Sequence, residues 1–257
     1  MQNGLPRTLL SLVVFVAWTA ITVFLGRLWH YGQGTETLDA TVSNSLLPVF
    51  PVAITFLLTV ILAFRWYDIG LNAPMPPRSL RLLWLPALYI LGFVALSIAA
   101  GLPPLPVMLV TLANTLMVAV SEELACRGIL YQGLRARLSV WPAILLATLL
   151  FGAVHLFNGI VTGDFVAAAF QAVTAFMTGI AFMGIRIRTR SIYPGIVLHG
   201  LWDFTLVTSA VGRYVATGHC RLKEPPCHPP ASLCSQGRQE PARCRRRLPR
   251  SPPRKPR

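Results

Sequence analysis

An all-α bundle of about seven membrane-spanning helices is the fold class this sequence predicts, and three observations predict it. The chain is 54% hydrophobic and only 12% charged, against about 25% charged residues in a soluble domain, and its mean hydropathy is +0.59. Seven apolar stretches approach the ~20 residues that carry a helix across a bilayer. No segment alternates apolar and polar residues with the period of two that a half-buried strand requires. A soluble globular core is therefore excluded. The partner implied first is the lipid bilayer, and no nucleic acid is expected.

The first stretch, 9–28, follows Arg7. It is too long for a signal-peptide core and no small-x-small cleavage site follows, so it reads as a retained span. The others are 46–66, 80–102, 105–130, 140–157, 165–187 and 192–211, the fifth being short. Turn chemistry separates them: 32–44, the run Asn72-Ala-Pro74-Met-Pro76-Pro77, 101–106 and 158–164. Pro142 falls in a first helical turn, where its missing N–H costs nothing. With the N-terminus in the cytoplasm, Arg65, Arg78, Arg81, Arg135, Arg137, Arg186, Arg188 and Arg190 all fall inside, as the positive-inside rule demands. Glu36, Asp39 and Asp164 fall outside. Trp29, Tyr31, Trp66 and Tyr67 read as interfacial anchors. Arg186, Arg188 and Arg190 read as orientation signals, with contact to lipid head groups as the alternative.

The net charge of +14 is unevenly spread. Residues 1–218 hold 12 Arg, no Lys and 7 acids, whereas 219–257 hold 11 basic residues and 2 acids, with nine prolines and four of the five cysteines. After seven spans this most basic segment should emerge outside, which breaks the charge pattern. The Cys spacings match no zinc finger. The tail is expected to be disordered, and the preferred reading is an aberrant, out-of-frame end that replaced an eighth span.

Ionisable groups inside apolar helices are the functional signal. A charge at the centre of such a helix costs about 2.5–3.5 kcal/mol on insertion scales, so an intramembrane ionisable residue is by default a functional site. Glu122, Glu123 and Arg127 fall at the end of the apolar run 105–120. Glu123 and Arg127 share a helix face at i, i+4, with the acid N-terminal, the favourable order; they read as a structural ion pair. Glu122 points about 100° away, towards a different neighbour. Phe151 and His155 share a face of the fifth span, and His199 and Asp203 a face of the seventh. These groups could converge from three helices. A carboxylate in an apolar pocket suits a general base, and an imidazole beside an Asp suits a developing oxyanion. The same side chains suit Zn²⁺ with one position open for water, although no His-Glu-x-x-His pattern is present. Cys126 lacks the neighbours that make a reactive thiol.

Glu122-Glu123-Leu-Ala-Cys126-Arg127-Gly128, Phe151-Gly-Ala-Val-His155 and His199-Gly-Leu-Trp-Asp203 together resemble the CPBP family of intramembrane proteases, which includes the type II CAAX prenyl endopeptidases and the bacteriocin-processing Abi group. The resemblance covers roughly 105–211. It implies an intramembrane endopeptidase, of glutamate or metalloprotease type, in which Glu122 activates water with help from His155, His199 and Asp203 hold the oxyanion or a metal, and Glu123 and Arg127 support the site. The substrate would be a peptide or protein segment near the membrane. No cofactor is assigned; if zinc is present, its ligands would be Glu122, His155 and His199. On this reading 1–104 are N-terminal transmembrane helices, 105–218 the catalytic helical core and 219–257 the basic tail. Two residues depart from the family pattern: Cys126 replaces a large apolar residue, and Asp203 stands where Asn is frequent.

Two alternatives stay open at the level of sequence: a non-catalytic membrane immunity or scaffold protein with the same fold, and a proton-coupled transporter, against which the lack of paired repeats counts. Depth is the weak point. Helix rise puts His199 roughly 12 Å from the inner end of its span and His155 roughly 10 Å farther out if its helix starts at Val140. His155 joins the site only if the helices tilt or the connection around 138–141 is submerged.

Overall fold

The computed structural model describes residues 6–29 and 37–216. Tyr31, Glu36, the side chain of Trp29 and the tail 219–257 lie outside the described residues. Every described element is helical: α1 (Arg7–Trp29), α2 (Leu38–Asn44), α3 (Val49–Phe64), α4 (Trp84–Ala100), α5 (Leu105–Glu122), α6 (Tyr131–Arg135), α7 (Val140–Val154), α8 (Asn158–Thr162), α9 (Phe165–Thr189) and α10 (Tyr193–Ala216). Among the described residues six helical stretches are long and apolar enough to cross a membrane, and α2 and α3 make a seventh only if the bent pair is counted as one span. The chain is a multi-pass membrane protein. Its exposed surface fits that environment, with Val16, Phe24, Leu62, Leu91 and Phe170 all outward.

The second span departs most from the expectation. The 16 residues of α3 rise only about 24 Å, short of a hydrocarbon core of about 30 Å. Before it, α2 lies in a region read as a turn and meets α3 at 86°, so it runs across the end of α3 and adds little to its reach. The Thr37 hydroxyl caps α2 by accepting from the Ala40 N–H at 3.3 Å. Asn114 of α5, fully buried, holds the corner: its amide donates to the Val42 and Ser45 carbonyls, each at 2.7 Å, and its carbonyl accepts from the Leu47 N–H at 3.0 Å. A bend this sharp frees backbone groups that lipid cannot satisfy, and one side chain serves three of them.

The fourth span is one stretch, Leu105–Arg135, in which Glu123–Leu130 form a π-helix between α5 and α6. The fifth runs past its expected end: α7 passes through a 3₁₀ turn, His155–Phe157, into α8, which stops at Gly163 with φ of 78°. The Asp164 carboxylate then caps α9 by accepting from the Ala167 N–H at 2.9 Å.

One core joins the early and late helices. Val14, Trp18, Leu57 and Ile61 pack in a common cluster with Ile129, Leu130, Phe151, Met183 and Ile192. Trp18 donates its indole N–H to the Ser121 hydroxyl at 2.8 Å, pinning α1 to the residue before Glu122. Basic residues gather at one end of the bundle. There the Arg7 guanidinium holds both oxygens of Asp68 at 2.8 and 2.6 Å, Thr8 donates to the Gly133 carbonyl, and the Ile192 N–H donates to the Gly70 carbonyl. Trp66 is buried beneath Arg7, whose guanidinium carbon lies 5.2 Å from the ring centre. It is a packing residue and not the interfacial anchor its position suggested; Tyr67 beside it is exposed.

Candidate active site

The site is built around the imidazole of His199. Glu123 Oε1 lies 3.0 Å from His199 Nδ1, Glu122 Oε2 lies 3.6 Å from Nε2, and Asp203 Oδ2 lies 3.5 Å from Nε2. Three carboxylates thus surround one ring. Phe182 of α9 stacks on it at 5.3 Å between centroids, and Phe151 of α7 meets it edge-on at 6.2 Å. The stacked and edge contacts leave the ring little freedom to turn.

Sequence reasoning placed Glu122 and Glu123 on diverging faces, but both reach the same imidazole, at different nitrogens. They sit at the entry to the π-helix, whose wider i→i+5 turn alters the fan of side chains and recurs at functional sites. Nothing in a hydrophobic period of 3.6 announces such a segment.

The pairing of Glu123 with Arg127 is as expected, at 3.2 Å with both side chains about 1% exposed. The Arg127 guanidinium also lies 3.9 Å from the centre of the Phe151 ring, a desolvated cation–π contact. Arginine keeps its charge in any protein setting, so Glu123 faces a fixed positive neighbour and acts as an acceptor. The His199 Nδ1 hydrogen then points at Glu123 Oε1, which leaves Nε2 towards Glu122 and Asp203. Two glycines make room for the ion pair. A Cβ on Gly195 would come within 3.0 Å of Glu123 Oε2, and one on Gly179 within 3.3 Å of an Arg127 nitrogen. Neither glycine nor Phe182 stood out in the sequence.

His155 is half-buried and ends α7, which starts at Val140 as assumed. Its Nδ1 lies 2.8 Å from the Phe151 carbonyl of its own helix, and its ring packs against Phe151 at 4.9 Å. It makes no hydrogen bond or ion pair with Glu122 or His199. It is within electrostatic reach of Asp203, so it flanks the cluster across the Phe151 ring. In the connection before α7, Leu138 packs on the core and its carbonyl accepts from Arg135, while Ser139, Val140 and Trp141 are exposed.

The zinc set Glu122, His155 and His199 is not assembled: among the described residues no three His, Cys, Asp or Glu side chains are grouped to hold a metal ion. Glu122 Oε2 is buried yet accepts no hydrogen bond. Cys126 is buried in the core. Asp203, with 32% of its side chain exposed, is the most open member of the cluster around His199.

Fold and site together define a multi-pass membrane protein that buries an acid–imidazole cluster between its helices. Residues 104–205 match the family described as type II CAAX prenyl endopeptidase Rce1-like. The match runs from the start of α5 into α10 and contains all three motifs. No curated protein and no solved structure gives a match to the chain.

Proposed function

We propose that the protein is an intramembrane endopeptidase that hydrolyses a peptide bond with water as the attacking group. The observation that carries this is the buried Glu122 Oε2, free of protein donors and 3.6 Å from His199 Nε2. A carboxylate oxygen in that state accepts a hydrogen from a substrate water, as a general base must. The water oxygen attacks the carbonyl carbon while its proton passes to Glu122. His199, doubly protonated among its three carboxylates, donates its Nε2–H to the developing oxyanion. When the C–N bond breaks, Glu122 returns the proton to the leaving nitrogen, giving a carboxylic acid and an amine.

Glu123 and Arg127 hold His199 in place, and Asp203 and His155 flank the substrate side. Residues 105–218 supply these groups, and the helices of 1–104 brace them through Trp18, Ser121 and Asn114. The substrate is a peptide or protein segment at the membrane, in line with the endopeptidase family that residues 104–205 match, and the N-terminus lies in the cytoplasm of a cell-membrane protein.

Reconstituted protein and a membrane-tethered reporter peptide test the reading. Cleavage by the wild type and its loss in Glu122→Gln, with expression and helix content retained, support it. A cellular function that survives the substitution would assign the fold to a scaffold, and loss of proton-coupled uptake with no cleavage would assign it to transport.

A further inference from the structure

We propose that a cavity of about 510 Å³ at the basic end of the bundle, away from the acid–imidazole cluster, is a phosphate-binding site. Arg78, Ser79, Arg81 and Trp84 line it from the segment before α4, and Arg188 lines it from the last turn of α9. Residues 77–83 form a 3₁₀ helix, in which side chains at i and i+3 eclipse, so Arg78 and Arg81 leave the backbone on one face.

The cavity walls are fixed. The Met75 N–H donates to the Thr189 carbonyl at 2.8 Å, and the Ile192 N–H to the Gly70 carbonyl at 3.0 Å. Beneath them the buried Arg186 guanidinium lies against Gly70, whose φ of 95° and lack of a Cβ permit the approach. The segment 70–76 is thereby stitched to the α9–α10 turn, and Arg188 is held across from Arg78 and Arg81.

Charge gives the cavity its ligand. Arg7 is matched by Asp68 and Arg127 by Glu123. Arg78, Arg81 and Arg188 have no ion pair or hydrogen bond among the described residues. Three like charges facing one concavity repel each other, and an anion relieves that repulsion. Guanidinium groups bind phosphate oxygens through paired, charge-assisted hydrogen bonds. Trp84, 63% exposed on the rim, has the character of an interfacial aromatic, and basic pockets between membrane helices suit phospholipid head groups. The phosphate thus comes from an anionic lipid or from the aqueous phase.

Native mass spectrometry and thermal unfolding on the whole chain decide. The wild type is reconstituted in phosphatidylcholine vesicles with or without phosphatidic acid, then extracted, and inorganic phosphate is titrated separately at constant ionic strength. Arg78→Gln/Arg188→Gln is the test variant; Arg137→Gln, exposed and outside the cavity, is the control. The proposal expects the wild type to retain phosphatidic acid, or to gain thermal stability from inorganic phosphate, and the test variant to lose that effect by roughly tenfold or more. Retention of phosphatidic acid without a response to phosphate assigns the lipid as the source, and the converse assigns a soluble phosphate. No response to either probe, an undiminished response in the test variant, or an equal loss in the control overturns the site. Unfolding without either anion, not lowered in the variants, shows that the fold is kept.

Discussion

Glu123 and His199, 76 positions apart in the chain, are joined by a 3.0 Å hydrogen bond from the ring Nδ1 to the carboxylate Oε1. This bond ties the π-helix to α10 and sets which imidazole nitrogen faces Glu122. Its strength depends on Arg127, which holds the same carboxylate oxygen from the other side.

Arg127→Met should therefore be costly. It strands the Glu123 carboxylate in the core, and removing one partner of a buried pair costs about 3–5 kcal/mol. Arg127→Lys should also destabilise, since an ammonium cannot lie flat against the Phe151 ring. Thermal unfolding in detergent micelles checks both, and Glu123→Gln combined with Arg127→Met should recover much of the loss. An unfolding midpoint unmoved by Arg127→Met would refute the buried pair.

Gly195→Ala tests the placement of the carboxylate without removing a charge. The added Cβ stands 3.0 Å from Glu123 Oε2 and must push the carboxylate from its seat against His199. A displaced supporting group is expected to lower turnover on the order of tenfold to a hundredfold. The control is Gly184→Ala on α9, where a Cβ meets open space and turnover should hold. Equal rates in the two variants would contradict the account.

Asn114→Leu probes the bent second span. The substitution leaves two carbonyls and one N–H at the α2–α3 corner without partners, at about 1–3 kcal/mol for each buried unsatisfied group. Hydrogen exchange at 42–47 should accelerate well before the rest of the bundle opens. Uniform exchange across the chain would show that the corner is held by something else.

Acid sensitivity is expected at the basic end of the bundle. The Arg7 guanidinium, hydrogen-bonded to Asp68, holds that carboxyl below its ordinary value of 3.8. The stabilisation from this pair is complete above that ordinary value and is lost as the pH falls through the lower folded value. The Asp68 side chain is 56% exposed, so solvent screening limits the effect to about 1 kcal/mol or less. Stability against pH, compared between wild type and Asp68→Asn, should diverge above pH 4 or so and converge in stronger acid. Curves that run parallel throughout would dissociate Asp68 from the effect.

Much of the bundle was legible because its signal is crude and local. An apolar run long enough to cross a bilayer announces itself, and six of the seven expected stretches are straight or gently interrupted helices. The second was only half legible. Leu38–Asn44 mixes Asp, Thr, Ser and Asn with apolar residues, so it reads as a turn until Asn114 is seen to hold its far end. Trp66 was misread because an aromatic at a span's end has two fates, and only the overlying Arg7 decides between them. The site residues were visible as ionisable groups in apolar helices, but their partnership was not. Convergence of Glu122 and Glu123 on His199 depends on the π-helix, the stacking of Phe182, and the space left by Gly179 and Gly195. None of these has a periodic signature. His155 was drawn into the cluster by pattern, and the geometry places it beside the cluster across Phe151.

A double-mutant cycle on turnover tests the central claim most directly, that Glu122 and His199 act on one water as a unit. Glu122→Gln, His199→Asn and the double variant are compared with the wild type on one membrane-tethered peptide. Groups that act together are strongly non-additive, so the double variant should be about as slow as the slower single variant. Losses that multiply, or cleavage that persists in Glu122→Gln, would contradict it.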